Sequence, residues 1–182
     1  MTFRKVGDDH LLVESWRVQF VRATYEAPDG SMFERDVLRS PGAVGIVPLL
    51  DDGRVVLVRQ FRASIEKEIW EIPAGIRDVP GERPEVTATR ELIEEAGYDA
   101  DRVDLLTGFY NSAGISDAYT HVFVGTGLRE VERSTQGIEE DHMEIGIFRL
   151  DDAVAMVERG EINDAKTVIG LLLAARRVAA SG

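Results

Sequence analysis

Pro84-Glu85-Val86-Thr87-Ala88-Thr89-Arg90-Glu91-Leu92-Ile93-Glu94-Glu95-Ala96-Gly97 is the stretch on which the reading of this chain turns. Proline at a first turn and glycine at a stop bound a helix from about Pro84 to Ala96. At about 100° per residue, Glu91, Glu94 and Glu95 fall within roughly a 100° arc. Val86, Ala88, Thr89, Leu92, Ile93 and Ala96 fill the other side, which is expected to pack into the core. Three carboxylates on one face repel one another unless something relieves them. The residues alone allow two readings: a solvated acidic face with Arg90 paired to Glu94, or a divalent-cation site built from hard oxygen ligands. Context favours the cation, because Pro73-Ala74-Gly75 and a glycine-rich acidic loop lead into the helix. Loop carbonyls could then complete the coordination.

Working outward, the flanks alternate between strand and helix patterns. Upstream, Ala43 to Leu50 and Val55 to Phe61 read as strands joined in a hairpin by Asp51-Asp52-Gly53, followed by Ile69 to Ile72. Downstream, Leu105 to Tyr110, His121 to Gly125 and Met143 to Leu150 read as strands, and Leu150 to Arg159 and Ala165 to Ala180 as helices. At the start, Leu11 to Val13, Trp16 to Val21 and Phe33 to Leu38, with a turn at Pro28-Asp29-Gly30, predict a small antiparallel sheet. The expected class is α+β, a mixed sheet between helices with that N-terminal sheet appended. The expected division is 1–40 for the N-terminal sheet and 41–182 for the main domain.

Composition narrows the functions. The 182 residues carry 21 Lys+Arg against 33 Asp+Glu, a formal charge of −12, with 44% hydrophobic residues and no cysteine. That balance suits a packed globular domain and argues against disorder. The negative charge, with no Lys/Arg run, argues against nucleic acid and anionic membrane surfaces as partners. No cysteine means no disulfide frame, thiol chemistry or Cys-ligated zinc. No stretch approaches the roughly 20 apolar residues of a membrane span, and the first residues lack the apolar run of a signal peptide. A cytoplasmic setting is expected.

Gly75 through Glu82 and Arg90-Glu91-Leu92-Ile93-Glu94-Glu95-Ala96-Gly97-Tyr98 resemble the Nudix box, G-x5-E-x7-R-E-U-x-E-E-x-G-U, where U is bulky and apolar. Every defined position from Glu82 onward is filled, and six residues rather than five separate Gly75 from Glu82. Val58-Arg59-Gln60-Phe61-Arg62, Glu71-Ile72-Pro73-Ala74-Gly75 and Gly160-Glu161-Ile162-Asn163-Asp164-Ala165-Lys166-Thr167 are similar to the ADP-ribose and nucleoside-diphosphate-sugar pyrophosphatase branch. The resemblance implies an α/β/α sandwich, a homodimer built through the N-terminal sheet, and Mg²⁺ as cofactor with Mn²⁺ as the alternative. It implies hydrolysis of the pyrophosphate bond of ADP-ribose or a nucleoside-diphosphate sugar, giving a nucleoside monophosphate and a sugar phosphate. Hydrolysis of another nucleoside-diphosphate derivative, such as a dinucleotide cofactor, and a non-catalytic sensor of ADP-ribose-like ligands are the alternatives. Ser112-Ala113-Gly114-Ile115-Ser116-Asp117-Ala118 departs from the branch's S-P-G-x-[ST]-x-E at Ala113 and Ala118. This favours nucleotide sugars over strict ADP-ribose preference.

The resemblance also implies roles. Glu91, Glu95 and the Ala74 carbonyl ligate metal, Glu94 is a further or bridging ligand, and Arg90 holds the carboxylates. Glu82 supports the loop. In Glu139-Glu140-Asp141, Glu139 is the expected general base, Glu140 the alternative, and Asp141 an additional ligand. Arg59 and Arg62 differ by three positions and so point to opposite strand faces; Arg62 is the expected phosphate or ribose contact. Arg35, Arg39 and Trp70 are weaker substrate candidates. Trp16, Phe20, Phe33 and Trp70 read first as core aromatics. His10, His121 and His142 have no metal-ligand spacing.

Overall fold

The computed structural model describes residues 2–15, 17–134 and 137–180, without the side chains of residues 139 and 140. Trp16 and the side chains of Glu139 and Glu140 therefore lie outside the described residues. The chain divides into two compact units. One comprises Met1–Gly42 with Phe109–Tyr119, and the other Ala43–Gly108 with Thr120–Gly182.

In the first unit, β1 (Arg4–Glu14), β2 (Gln19–Glu26) and β3 (Met32–Arg39) form an antiparallel sheet in the order β1-β2-β3. Val21 and Ala23 are its buried positions, and Tyr25 stacks on Phe33 at 5.5 Å. The excursion 109–119 joins it through a parallel bridge from Leu38 to Ser116.

The second unit holds two sheets. β4 (Ala43–Pro48), β7 (Ala74–Ile76), β8 (Tyr98–Tyr110) and β9 (Tyr119–Glu130) form one, ordered β7-β4-β9-β8, with β4 parallel to β9 and antiparallel to β7. β5 (Arg54–Arg62), β6 (Lys67–Glu71) and β10 (Glu144–Arg149) form an antiparallel sheet ordered β10-β5-β6. The expected β4–β5 hairpin is thus only a turn. Leu50 N–H bonds the Arg54 carbonyl at 2.8 Å and Leu49 bridges Val55, after which the strands enter different sheets.

Alternation along β4 makes the sandwich. Val44 and Ile46 pack with Ala88, Leu92 and Ala96 of helix α1 (Pro84–Glu91) and its continuation. Gly45 and Val47 face the opposite layer, helix α4 (Ala165–Ala179), where a Cβ on Gly170 would approach Val47 Cγ2 to 2.9 Å. Only glycine lets α4 lie that close to the sheet. Helices α2 (Ile138–Asp141) and α3 (Leu150–Glu158) complete the elements. No helix among the described residues is long and apolar enough to cross a membrane.

Candidate active site

The acidic helix is not uniform. α1 ends at Glu91, and Leu92–Ala96 winds as a π-helical turn that Gly97 closes at φ 71°, where a Cβ would be strained. Wider π winding changes the angular spacing that an even 100° step assumes. Val86, expected in the core, is 49% exposed, and lines with Ile93, Val103, Arg90 and Glu94 an outer cavity of about 490 Å³. Glu91 and Glu95, expected on a presented face, are buried. The inward face is instead Thr87, Ala88, Leu92 and Ala96, flanked by these two carboxylates.

What seats the carboxylates is β7. The Ala74 N–H donates to Glu95 Oε2 at 2.9 Å. A Cβ on Gly75 would fall 2.1 Å from Glu91 Cδ, so Glu91 occupies the volume of an absent side chain. Arg90 Nη1 pairs with Glu91 at 2.8 Å and Glu94 at 3.0 Å, while Nη2 lies 3.6 Å from Glu82 and 3.7 Å from Asp78. Burial works against the guanidinium charge, yet Glu91, Glu94 and Glu82 outweigh it and hold Arg90 above its ordinary pKa. Glu82 also accepts from Thr87 Oγ1 at 2.7 Å, tying the loop to the helix's first turn.

Asp78, Glu82, Glu91 and Glu94 thus gather on one guanidinium, and all four present hard oxygen donors. That donor chemistry, and the Gly75 cradle under Glu91, fit a divalent cation. Among the described residues no three His, Asp or Glu side chains already surround a common point as ligands. Glu91 and Glu94 converge instead on Arg90 Nη1.

Beside this cluster lies a second one, in which the family resemblance implies a role for Arg62 alone. Opposite residues on paired strands share a face, and Glu71 lies opposite Val58, so Val58, Gln60 and Arg62 share the face of Glu71. Arg62 Nε and Nη2 donate to Glu71 at 2.7 and 2.6 Å. Lys166 Nζ also donates to Glu71 Oε2 and lies 3.0 Å from Asp164. The Glu71 hydrogen bonds, aided by the charges of Glu71, Glu95 and Asp164, raise Arg62 above its ordinary pKa despite burial. Gln60, between Val58 and Arg62 in sequence, is buried, and its amide nitrogen has no partner among the described residues. The signal for Glu71 is a lone charge in an otherwise apolar strand end, Ile69-Trp70-Glu71-Ile72.

The remaining candidates are dispersed. Trp70 lies opposite Arg59, on the other face from Arg62, and packs edge-on to Phe148 at 5.1 Å. Arg59 pairs with Glu68 and Glu144. Asp141 ends the short α2, which lies against β5. Arg35 and Arg39 belong to the first unit, where they line a cavity of about 410 Å³ with Phe3, Tyr25, Phe33 and Tyr110. Arg35 sits 4.7 Å from the Phe33 ring centre, and Arg39 is bound to Asp9 and Asp117. His121 has its pKa lowered by burial and Arg77, against the opposing pull of Glu85.

The NUDIX domain model matches residues 39–169, which include both clusters. The chain belongs to the Nudix family. Among its relatives, the "ADP-ribose pyrophosphatase" of Bacillus subtilis (strain 168) is 40% identical over 146 residues, covering 80% of this chain and 78% of that protein. The "Methanol dehydrogenase activator" of Bacillus methanolicus is 37% identical over 146 residues with the same coverage of 80% and 78%. A crystal structure of an ADP compounds hydrolase has a TM-score of 0.84 to this chain, covering 100% of this chain and 97% of that chain. At 20% identity, that likeness carries the Nudix α+β fold. The family and the first of these relatives make the chain a Nudix pyrophosphatase, a hydrolase of phosphoric anhydrides.

Proposed function

We propose that this Nudix chain hydrolyses the pyrophosphate bond of ADP-ribose or a nucleoside-diphosphate sugar, releasing a nucleoside monophosphate and a sugar phosphate. The observation that carries the reading is the set of carboxylates gathered on Arg90 and seated against Ala74 and Gly75. The cofactor proposed is Mg²⁺, with Mn²⁺ as the alternative, held by Glu91, Glu95, the Ala74 carbonyl and Glu94. Such an ion, when bound, polarises diphosphate oxygens and makes water a better nucleophile. Arg90 holds Glu91 and Glu94 in orientation by charge-assisted contacts from its Nη1. Arg62 binds the diphosphate, with Arg35, Arg39 and Trp70 as weaker substrate contacts.

Glu139 is proposed as general base, with Glu140 the alternative and Asp141 an additional metal ligand. The attacking water gives a proton to the base, its oxygen joins one phosphorus, and the bridging oxygen leaves on the other. The reading also includes residues 1–40 as a dimerisation unit, a homodimer, and a cytoplasmic setting in keeping with a cysteine-free chain. The test is a panel of ADP-ribose, nucleoside-diphosphate sugars, NADH and dinucleoside polyphosphates incubated with Mg²⁺, with products resolved chromatographically. Monophosphate and sugar phosphate from the first two classes are expected. Binding without turnover across the panel would overturn the hydrolytic reading in favour of a sensor.

A further inference from the structure

We propose that Glu71, Lys166 and Asp164 form a positioning clamp that holds one edge of the Arg62 guanidinium and leaves the other edge for the substrate's diphosphate. The inference rests on the functional reading of Arg62 as the diphosphate contact. Glu71 has 1% of its side chain exposed, whereas Arg62 has 38%. The pair is therefore anchored at the carboxylate and open at the guanidinium. Arg62 donates through Nε and Nη2, a side-on bidentate bond that leaves Nη1 out of the pairing. A guanidinium is planar and presents its donors in a rigid fork, so fixing one edge fixes the direction of the other.

A buried carboxylate is costly unless paired, and Glu71 has two cationic partners, Arg62 and Lys166. Lys166 in turn is shared with Asp164, so two cations and two carboxylates close a neutral set. Asp164 is also the N-cap of α4. Its carboxylate accepts from Thr167 N at 3.0 Å and Oγ1 at 2.6 Å, and Thr167 Oγ1 accepts from Ile72 N at 3.0 Å. The N-terminus of α4 is thus tied to Glu71 through Lys166 and to the next residue, Ile72, through Thr167. The clamp is built from three elements, and its most exposed member is Arg62. Glu71 and Lys166 are positioning residues in this account, acting on substrate through Arg62.

A double-mutant cycle tests the clamp. Calorimetric affinity for ADP-ribose, measured with EDTA so that no turnover is needed, is read for Glu71→Gln, Lys166→Met, Arg62→Ala and the two doubles with Arg62→Ala. Each single variant is expected to weaken binding by about 10–100-fold, and the doubles to be no weaker than Arg62→Ala within about twofold. Lys166→Arg is expected to recover most of the affinity lost in Lys166→Met. With Mg²⁺ present, the effect of Glu71→Gln and Lys166→Met should fall on KM more than on kcat. Effects that multiply in the doubles, or a Glu71→Gln chain that binds normally, would overturn the clamp. Should Glu71→Gln fail to fold, Glu71→Asp is put through the same cycle. A wild type that binds ADP-ribose and obeys the cycle without hydrolysing it supports the clamp and overturns the hydrolase reading alone. A wild type that binds no ADP-ribose overturns the clamp.

Discussion

The two charged clusters of the second unit differ in their arithmetic. Around Glu71 the charges cancel, and every carboxylate has a cation of its own chain within hydrogen-bond distance. Around Arg90, Asp78, Glu82, Glu91 and Glu94 share one guanidinium, two of them only at 3.6–3.7 Å. A balanced set stabilises its own geometry and suits the holding of a side chain. An unbalanced set is held together by its surroundings, here Ala74 N–H and the space above Gly75, and suits the binding of a cation from outside. Substitutions in the two clusters should therefore fail in different ways.

The largest effect is expected in the unbalanced cluster. Glu91→Gln and Glu95→Gln keep side-chain volume but remove a charge proposed to ligate metal. Turnover should fall at least about a thousandfold, or roughly 4 kcal/mol of transition-state stabilisation. Apo stability should be unchanged or higher, because like-charge repulsion is relieved. Urea unfolding with and without Mg²⁺ checks the second half: the ion should stabilise wild type more than either variant. Variants with wild-type turnover would show that the charge excess has no catalytic use.

Next in size is Gly75→Ala, which tests the cradle without altering any charge. The added Cβ would sit 2.1 Å from Glu91 Cδ, an impossible contact, so the carboxylate must move. A displacement near 1 Å at a reacting centre costs on the order of a hundredfold. Overpacking should destabilise the fold by about 1–3 kcal/mol. Activity close to wild type would mean that Glu91 can function from another position.

How far the sequence carried this reading differs between the clusters in the same way. The acidic helix was legible because its spacing is a long, defined pattern and its end carries Gly97. Its burial was not, because the π turn at Leu92–Ala96 and the seat on Ala74 and Gly75 depend on tertiary contacts that an even helical step ignores. The alternation of strands was legible, whereas the divergence of β4 and β5 into separate sheets was not: a turn signal reports the turn, and packing decides what the strands do afterwards. Glu71, Asp164 and Lys166 lie within family-like segments, yet their partnership spans 95 positions from Glu71 to Lys166. Only folding brings that pair together.

A smaller effect is expected at Asp164. Burial alone would raise its pKa, but the Lys166 charge and the bonds from Thr167 and Lys166 bring it below the ordinary 3.8. Because the folded value is depressed, the stabilisation is fully present above 3.8 and is lost as pH falls through the lower folded value. Asp164→Asn keeps a good N-cap while removing the charge. It should cost about 1–2 kcal/mol at pH 7 and progressively less below pH 3.8, as read by urea unfolding across that range. A cost independent of pH would mean that Asp164 acts as a cap alone and that Lys166 does not depend on its charge.

The smallest effect on the fold is expected at Gln60, on the face of the balanced cluster. Its amide nitrogen is buried without a partner among the described residues, although its neighbours Val58 and Arg62 on that face are packed and paired. An unsatisfied buried donor costs about 1–3 kcal/mol, and an apolar replacement of similar shape removes the cost. Gln60→Met should therefore leave apo stability unchanged or raise it by about 1 kcal/mol, measured by urea unfolding. If the amide meets a substrate oxygen when the site fills, the same variant should raise KM while the apo protein gains stability, since a donor idle in the free chain would be lost only from the complex. A destabilised apo protein would show that the amide already has a partner in solution, and the balanced cluster would then extend from Arg62 to Gln60.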